Sequence, residues 1–231
     1  PSYLWSTTGG NITGPLNTAT TTANAPGMYT VSVQVAGCSL SSDITVGQNI
    51  LPPTALPLIA GPDTLTCVVD SVQLDGSGSS GQGGLSYMWS SQNGSPLSNP
   101  NSPLPTVADP DLYQLIVLDS LNGCADTAAI EVFQNILQPS ANAGPDDTLT
   151  RVLTSLQLDG SGSAATGGVQ YAWSAISGNL LPPVNIPNPT VDEPGSYQLI
   201  VTDMVNGCQD TDLVMVAIDT VPPVPGSSAK E

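Results

Sequence analysis

From Tyr29 to Val35 the chain alternates strictly. Tyr29, Val31, Val33 and Val35 are apolar, and Thr30, Ser32 and Gln34 between them are polar. A period of two places successive side chains on opposite faces of an extended strand, so Tyr29 and its followers mark a core face. The same opening returns at Tyr113, Leu115 and Val117, which alternate with Gln114, Ile116 and Leu118. It returns again at Tyr197, Leu199 and Val201, interleaved with Gln198, Ile200 and Thr202. Further short strands are expected at Val72 and Leu74, Tyr87 and Trp89, and Ile130 and Val132, with equivalents at Leu156 and Leu158, Tyr171 and Trp173, and Val214 and Val216. Gly, Pro, Asn and Asp bound these runs and helical periodicity is nowhere sustained, so the chain reads as all-β.

The strands recur at a period of 84 residues, clearest where Leu74-Asp75-Gly76-Ser77-Gly78-Ser79 returns as Leu158-Asp159-Gly160-Ser161-Gly162-Ser163. The same step carries Asn122-Gly123-Cys124 onto Asn206-Gly207-Cys208, and the opposite step lands on Tyr3, Trp5 and Tyr29. A fixed period means a serial array of structural units rather than one large domain. The reading assigns a partial copy to residues 1–50, full copies to 54–137 and 138–221, and a linker or tail to 222–231. About seven short strands per copy, a Trp on an early central strand and a Tyr opening a late one fit an immunoglobulin-like sandwich. Pro194-Gly195-Ser196-Tyr197 suits a tyrosine corner. Short, Pro-rich linkers predict a rod-like array. Copy one enters at its Trp strand, and half a sandwich exposes a sheet edge and half a core. The expectation is that the sequence is a fragment of a longer chain; the alternative is that a neighbouring subunit donates the missing strands.

Cys67 precedes the second-strand region and Cys124 follows the late strand that begins at Tyr113, so this pair is expected to form a disulfide. The alternative is that all four cysteines are buried thiols; C-x-x-C metal spacing is absent. Arg151 stands in copy three where Cys67 stands in copy two, which leaves Cys208 without a partner in its own copy. Cys38 and Cys208 are therefore expected as free thiols or as intermolecular bridges.

Ala60-Gly61-Pro62-Asp63, Thr64-Leu65-Thr66-Cys67, Leu74-Asp75-Gly76-Ser77-Gly78-Ser79, Tyr87-Met88-Trp89-Ser90, Pro194-Gly195-Ser196-Tyr197 and Asn206-Gly207-Cys208 resemble the PKD-like repeats of very long bacterial surface adhesins. Such repeats are common in Bacteroidota proteins exported by the type IX route, where they act as extracellular spacers or adhesive stalks. The W-x-F-G-D-G run of typical PKD domains is missing: Trp89-Ser90-Ser91 and Trp173-Ser174-Ala175 stand in its place.

Composition removes several function classes. Nineteen acidic side chains against two basic ones give a net charge of -17, so nucleic acid and anionic membranes, which need clustered Lys and Arg, are not expected partners. No apolar run approaches the roughly 20 residues that cross a bilayer as a helix. With no histidine there is no Ser-His-Asp or Cys-His catalysis and no imidazole-held zinc. The close acids Asp109 and Asp111, or Asp210 and Asp212, read as turn and exposed strand residues rather than a glycosidase pair. No enzyme is expected. The glycine-rich runs at 76–84 and 160–168 lack the Lys and the helix of a phosphate cradle and read as turns.

Calcium is the cofactor the remaining acids would suit. Asp63, Asp75, Asp146, Asp147, Asp159 and Asp219 lie in turns beside carbonyls freed by Gly and Pro, the oxygen donors hard cations favour. Asp is equally a turn former that caps backbone N–H groups, and that alternative stays open. Asp followed by Ser or Thr and an apolar residue is similar to the Bacteroidota O-glycosylation acceptor, which makes Thr64, Ser71, Ser120, Thr127, Thr148 and Thr220 candidates. Asn11-Ile12-Thr13 and Asn93-Gly94-Ser95 match the N-glycan triplet. Trp5, Trp89 and Trp173 occupy repeating core positions and are expected to be buried rather than to stack on sugars.

The sequence thus points to an extracellular, cell-surface structural or adhesive protein: the stalk of a surface adhesin or a filament subunit. Its expected partners are copies of itself, further repeats of a longer chain, or surface glycans. The alternative is a carbohydrate-binding accessory region of a secreted hydrolase.

Overall fold

In the computed structural model, which describes residues 1–221, every regular element is a strand. The segment expected as a tail, 222–231, lies outside the described residues. The first copy supplies β1 (Ser2–Thr8), β2 (Gly27–Val35) and β3 (Cys38–Val46), one antiparallel sheet in the order β1-β2-β3. Register follows the alternation: Trp5 faces Val31 and Tyr3 faces Val33, while Val33 faces Leu40 and Tyr29 faces Ile44. A two-residue turn joins β2 to β3, with both Ala36 (φ 49°) and Gly37 (φ 88°) left-handed, the backbone that matches strand twist in a tight hairpin.

The second copy contains β4 (Leu58–Ala60), β5 (Thr64–Thr66), β6 (Val72–Asp75), β7 (Leu85–Ser91), β8 (Leu97–Ser98), β9 (Thr106–Val107), β10 (Asp111–Asp119) and β11 (Ala125–Asn135). They form two sheets, β4-β6-β9-β8 and β5-β11-β10-β7. The third copy contains β12 (Asp147–Leu149), β13 (Leu156–Gln157), β14 (Val169–Ala175), β15 (Leu180–Leu181), β16 (Thr190–Val191), β17 (Gly195–Asp203) and β18 (Gln209–Ile218). Its sheets run β13-β16-β15 and β12-β18-β17-β14. In each full copy one short strand pairs parallel to the end of the last long one: Thr64–Thr66 on Phe133–Asn135, and Asp147–Leu149 on Val216–Ile218.

Both full copies are immunoglobulin-like sandwiches. In copy three, Leu156 and Val191 from one sheet, Leu158 just after β13, and Trp173, Tyr197, Leu199, Val201, Val214 and Val216 from the other sheet form one buried cluster. The equivalent residues of copy two, among them Leu74, Trp89, Val107, Tyr113 and Leu115, are buried as well. Gly76 and Gly160 permit this closure: a Cβ on Gly76 would sit 2.9 Å from Leu115 Cδ2 and 3.2 Å from Trp89 Cζ2. Three tyrosine corners are built, since each Tyr hydroxyl donates to a carbonyl four residues upstream: Tyr29 to Ala25, Tyr113 to Asp109 (2.7 Å) and Tyr197 to Glu193 (2.6 Å).

The chain forms two compact units. One comprises Pro1–Thr54, Ser80–Ser86 and Val117–Asp126; the other comprises Ala55–Ser79, Tyr87–Ile116 and the described residues from Thr127 on. Within the first unit, the face of β1-β2-β3 that carries Tyr29 is only partly covered. Tyr29 is buried, Trp5 and Tyr3 are half-buried, and Leu40, Ile44 and Val46 are exposed.

Candidate functional site

Chemistry-bearing residues gather most densely at the turn before the last strand of each full copy. In copy three this turn runs Asp203-Met204-Val205-Asn206-Gly207-Cys208 between β17 and β18. The backbone closes on itself, Asp203 N–H donating to Cys208 O and Gly207 N–H to Asp203 O, each at 2.9 Å. Gly207 takes a left-handed φ of 70° that a side chain would disfavour. The Asp203 carboxylate is buried and accepts from Gly167 N (2.9 Å), Val205 N (2.8 Å), Asn206 N (3.3 Å) and Thr166 Oγ1 (3.1 Å). These donors, led by Gly167 N–H, favour the charged form over the opposing cost of burial and hold the carboxyl down to about 2. Copy two repeats the arrangement. Asp119 accepts from Gln82 N (2.6 Å), Gly83 N (3.1 Å) and Leu121 N (2.8 Å), chiefly the last of which lowers its pKa. The glycine-rich runs serve these carboxylates: a Cβ on Gly83 would sit 2.7 Å from Asp119 Oδ1.

The asparagine of the turn reaches outward. Asn206, fully buried, accepts from Cys208 N (2.9 Å) through Oδ1 and donates through Nδ2 to Asn135 Oδ1 (3.0 Å) and Leu137 O (2.8 Å), the segment that enters copy three. Asn122 does the same one copy earlier, accepting from Cys124 N (2.8 Å) and donating to Asn49 Oδ1 (3.2 Å) and Leu51 O (2.8 Å). The clamped segments are the same sequence, Gln48-Asn49-Ile50-Leu51 and Gln134-Asn135-Ile136-Leu137. A single device therefore joins copy one to copy two and copy two to copy three, each occurrence lying inside one compact unit.

In the second occurrence the joint is also covalent. Cys67 is disulfide-bonded to Cys208, with Cα atoms 5.0 Å apart, and Cys67 N–H donates to Asn206 O (3.2 Å). This corrects the expected Cys67–Cys124 pair and the expectation that Cys208 is free. The reason is geometric. Cys67 follows β5, which pairs with the end of β11 at Phe133–Asn135, whereas Cys124 stands just before the start of that eleven-residue strand. The two cysteines therefore stand at opposite ends of β11, far beyond disulfide reach. Cys124 is a half-buried free thiol, and Cys38 is free and exposed. Arg151, at the place of Cys67 in copy three, donates through Nη2 to Thr220 O (3.3 Å).

The turn acids are not brought together. Asp75 Oδ1 accepts from Ser77 N (2.8 Å), Asp159 Oδ1 from Ser161 N (3.0 Å) and Oγ (2.6 Å), Asp63 Oδ1 from Thr64 Oγ1 (2.9 Å), Asp147 Oδ1 from Thr148 N (2.6 Å), Asp146 Oδ1 from Met215 N (2.8 Å) and Asp219 Oδ1 from Val221 N (2.8 Å). Bonds from their serines, side chain first, lower the pKa of Asp75 and Asp159. Among the described residues no three Asp, Glu or Cys groups assemble to hold an ion. Asp111 is buried and accepts from Asn93 N (3.0 Å) and Leu112 N (2.7 Å). Asp210 and Asp212, expected to face solvent, are half-buried; each accepts a 2.8 Å bond, from Ala141 N and Ala143 N, and so ties that segment to β18. Of the glycosylation candidates Ser71, Ser120, Thr127, Thr148 and Thr220 are exposed, and Thr64 is half-buried in β5. Trp89 and Trp173 are core residues, while Trp5 is half-buried with Nε1 donating to Thr18 O (3.0 Å).

No family model matches the chain. It is 31% identical over 224 residues to the dyslexia-associated protein KIAA0319-like protein of Mus musculus, an alignment covering 85% of this chain and 21% of that protein. The chain thus spans about a fifth of the length of that curated relative. Among solved structures it is similar to the PKD domain from KIAA 1837 protein, at 28% identity and a TM-score of 0.30, covering 37% of this chain and 93% of that one. It is also similar to three N-terminal domains of the highly immunogenic outer capsid protein of bacteriophage RB49, at 13% identity and a TM-score of 0.41, covering 95% and 88%.

Proposed function

We propose that this chain is a non-enzymatic, extracellular structural segment: repeats of a surface adhesin stalk or of a cell-surface filament, of the kind Bacteroidota export by the type IX route. The observation that carries the reading is the recurring joint. Asn122 and Asn206 clamp the same linker sequence in two places, and Cys67–Cys208 adds a covalent tie between consecutive copies. A device that fixes one repeat to the next suits a protein whose job is to hold distance or transmit load. A disulfide across a joint persists in oxidising surroundings, which supports the location. The net charge of -17 spread over the copies favours solubility over adsorption to anionic surfaces. With Trp89 and Trp173 buried, the tryptophans of the two full copies are unavailable as a sugar platform, which disfavours the carbohydrate-binding alternative.

Antibody raised against residues 54–221 and applied to intact, unpermeabilised source cells tests the reading. Surface label along appendages or at the cell envelope is expected; label that appears only after permeabilisation overturns it.

A further inference from the structure

The two joints share the asparagine clamp, and the later one adds a disulfide. In the later joint, the parallel strand Thr64–Thr66 lies on Phe133–Asn135, its last residue Thr66 faces Asn135, and the next residue, Cys67, closes on Cys208 beside the Asn206 clamp. In the earlier joint Gly47-Gln48-Asn49 continues from β3 as Phe133-Gln134-Asn135 ends β11, and Asn49 is held by Asn122, two residues before the free, half-buried Cys124. No strand pairs with β3 on the side away from β2 among the described residues, and the adjoining face exposes Leu40, Ile44 and Val46. Cys38 lacks this setting. Its turn is the tight Ala36-Gly37 hairpin, with Ala36 where copies two and three carry the clamping asparagine, and Cys38 is exposed.

We propose that the edge at Gly47–Asn49 together with Cys124 is a covalent docking site for an extended strand of the form Thr-x-Thr-Cys, supplied by another repeat of this type. The strand pairs parallel to Gly47–Asn49 with its second Thr opposite Asn49, and its cysteine closes onto Cys124. The donor is not this chain's own Cys67, whose sulfur is already bonded to Cys208. Bond formation is a two-electron oxidation: each thiol loses one proton and one electron, and a small-molecule disulfide such as oxidised glutathione accepts both pairs and leaves as two thiols. Selectivity comes from register, because moving the cysteine by one position turns its side chain to the opposite face of the strand.

The test uses the full chain carrying Cys38→Ser, with Cys67–Cys208 intact, incubated with oxidised glutathione and a peptide of residues 60–70. The expected product is a one-to-one disulfide adduct mapped to Cys124 by peptide mass, formed about tenfold faster than with a scrambled peptide or with one whose cysteine is shifted by one residue. Asn122→Ala should slow the reaction by a similar factor. Equal rates for the three peptides, a glutathione adduct alone, or a Cys124–Cys124 dimer in place of the peptide adduct would each overturn the proposal. The peptide comparison challenges the unmodified turn, so its outcome does not depend on the Asn122→Ala variant folding.

Discussion

Asp203 shows how one side chain organises a joint. Its carboxylate collects three backbone N–H groups and a threonine hydroxyl, so it stabilises the turn only while ionised. The folded pKa, held to about 2 against an ordinary 3.8, lies below the unfolded value, so this stabilisation is complete above pH 4 and is lost as pH falls toward 2. Thermal melts between pH 7 and 2 should show a fall in midpoint across that window, and Asp203→Asn should flatten the fall while lowering the midpoint at pH 7. An unchanged acid profile in the variant would remove Asp203 from this role. Little at this scale is written in the sequence. Asp203 and Asp119 look like strand-end residues among sixteen aspartates, and their value appears only when Gly167 and Gly83, more than thirty residues away, bring backbone close enough to donate.

Strands were legible where one face is buried. The Tyr, Leu and Val alternation places β2, β10 and β17 because each such strand has a single inward face, and the tyrosine corner at Tyr197 follows from its Pro-Gly-Ser lead. The cysteine pairing was not legible from the period alone. A repeat invites pairing inside one copy, whereas β5 lies on the far end of β11 and hands Cys67 to the next copy. The signal that points there is the second recurrence, Gln-Asn-Ile-Leu at 48–51 and 134–137, which marks the linker as part of the structure rather than a spacer. Closing a loop with a sequence separation of 141 restricts the unfolded chain by roughly 5 kcal/mol in the chain-entropy treatment. Cys208→Ser should therefore lower the denaturant midpoint markedly, and reducing agent should bring the parent protein to the same value. A midpoint insensitive to both would mean that the bond adds nothing to the folded state.

For the molecule as a load-bearing segment, the placement of that bond matters more than its strength. A disulfide inside one copy would protect one copy from extension. Cys67 lies near the front of copy two and Cys208 near the end of copy three, so tension applied at the chain ends bypasses almost everything between them. Chain with a sequence separation of 141 residues stays hidden, which at about 3.4 Å per extended residue is a length of roughly 480 Å. Pulling single molecules by their termini should give a total extension shorter by about that amount in oxidising buffer than in reducing buffer, with Cys208→Ser behaving as the reduced protein in both. Identical extensions would mean that Cys67 and Cys208 are not joined and that the load path runs through copies two and three.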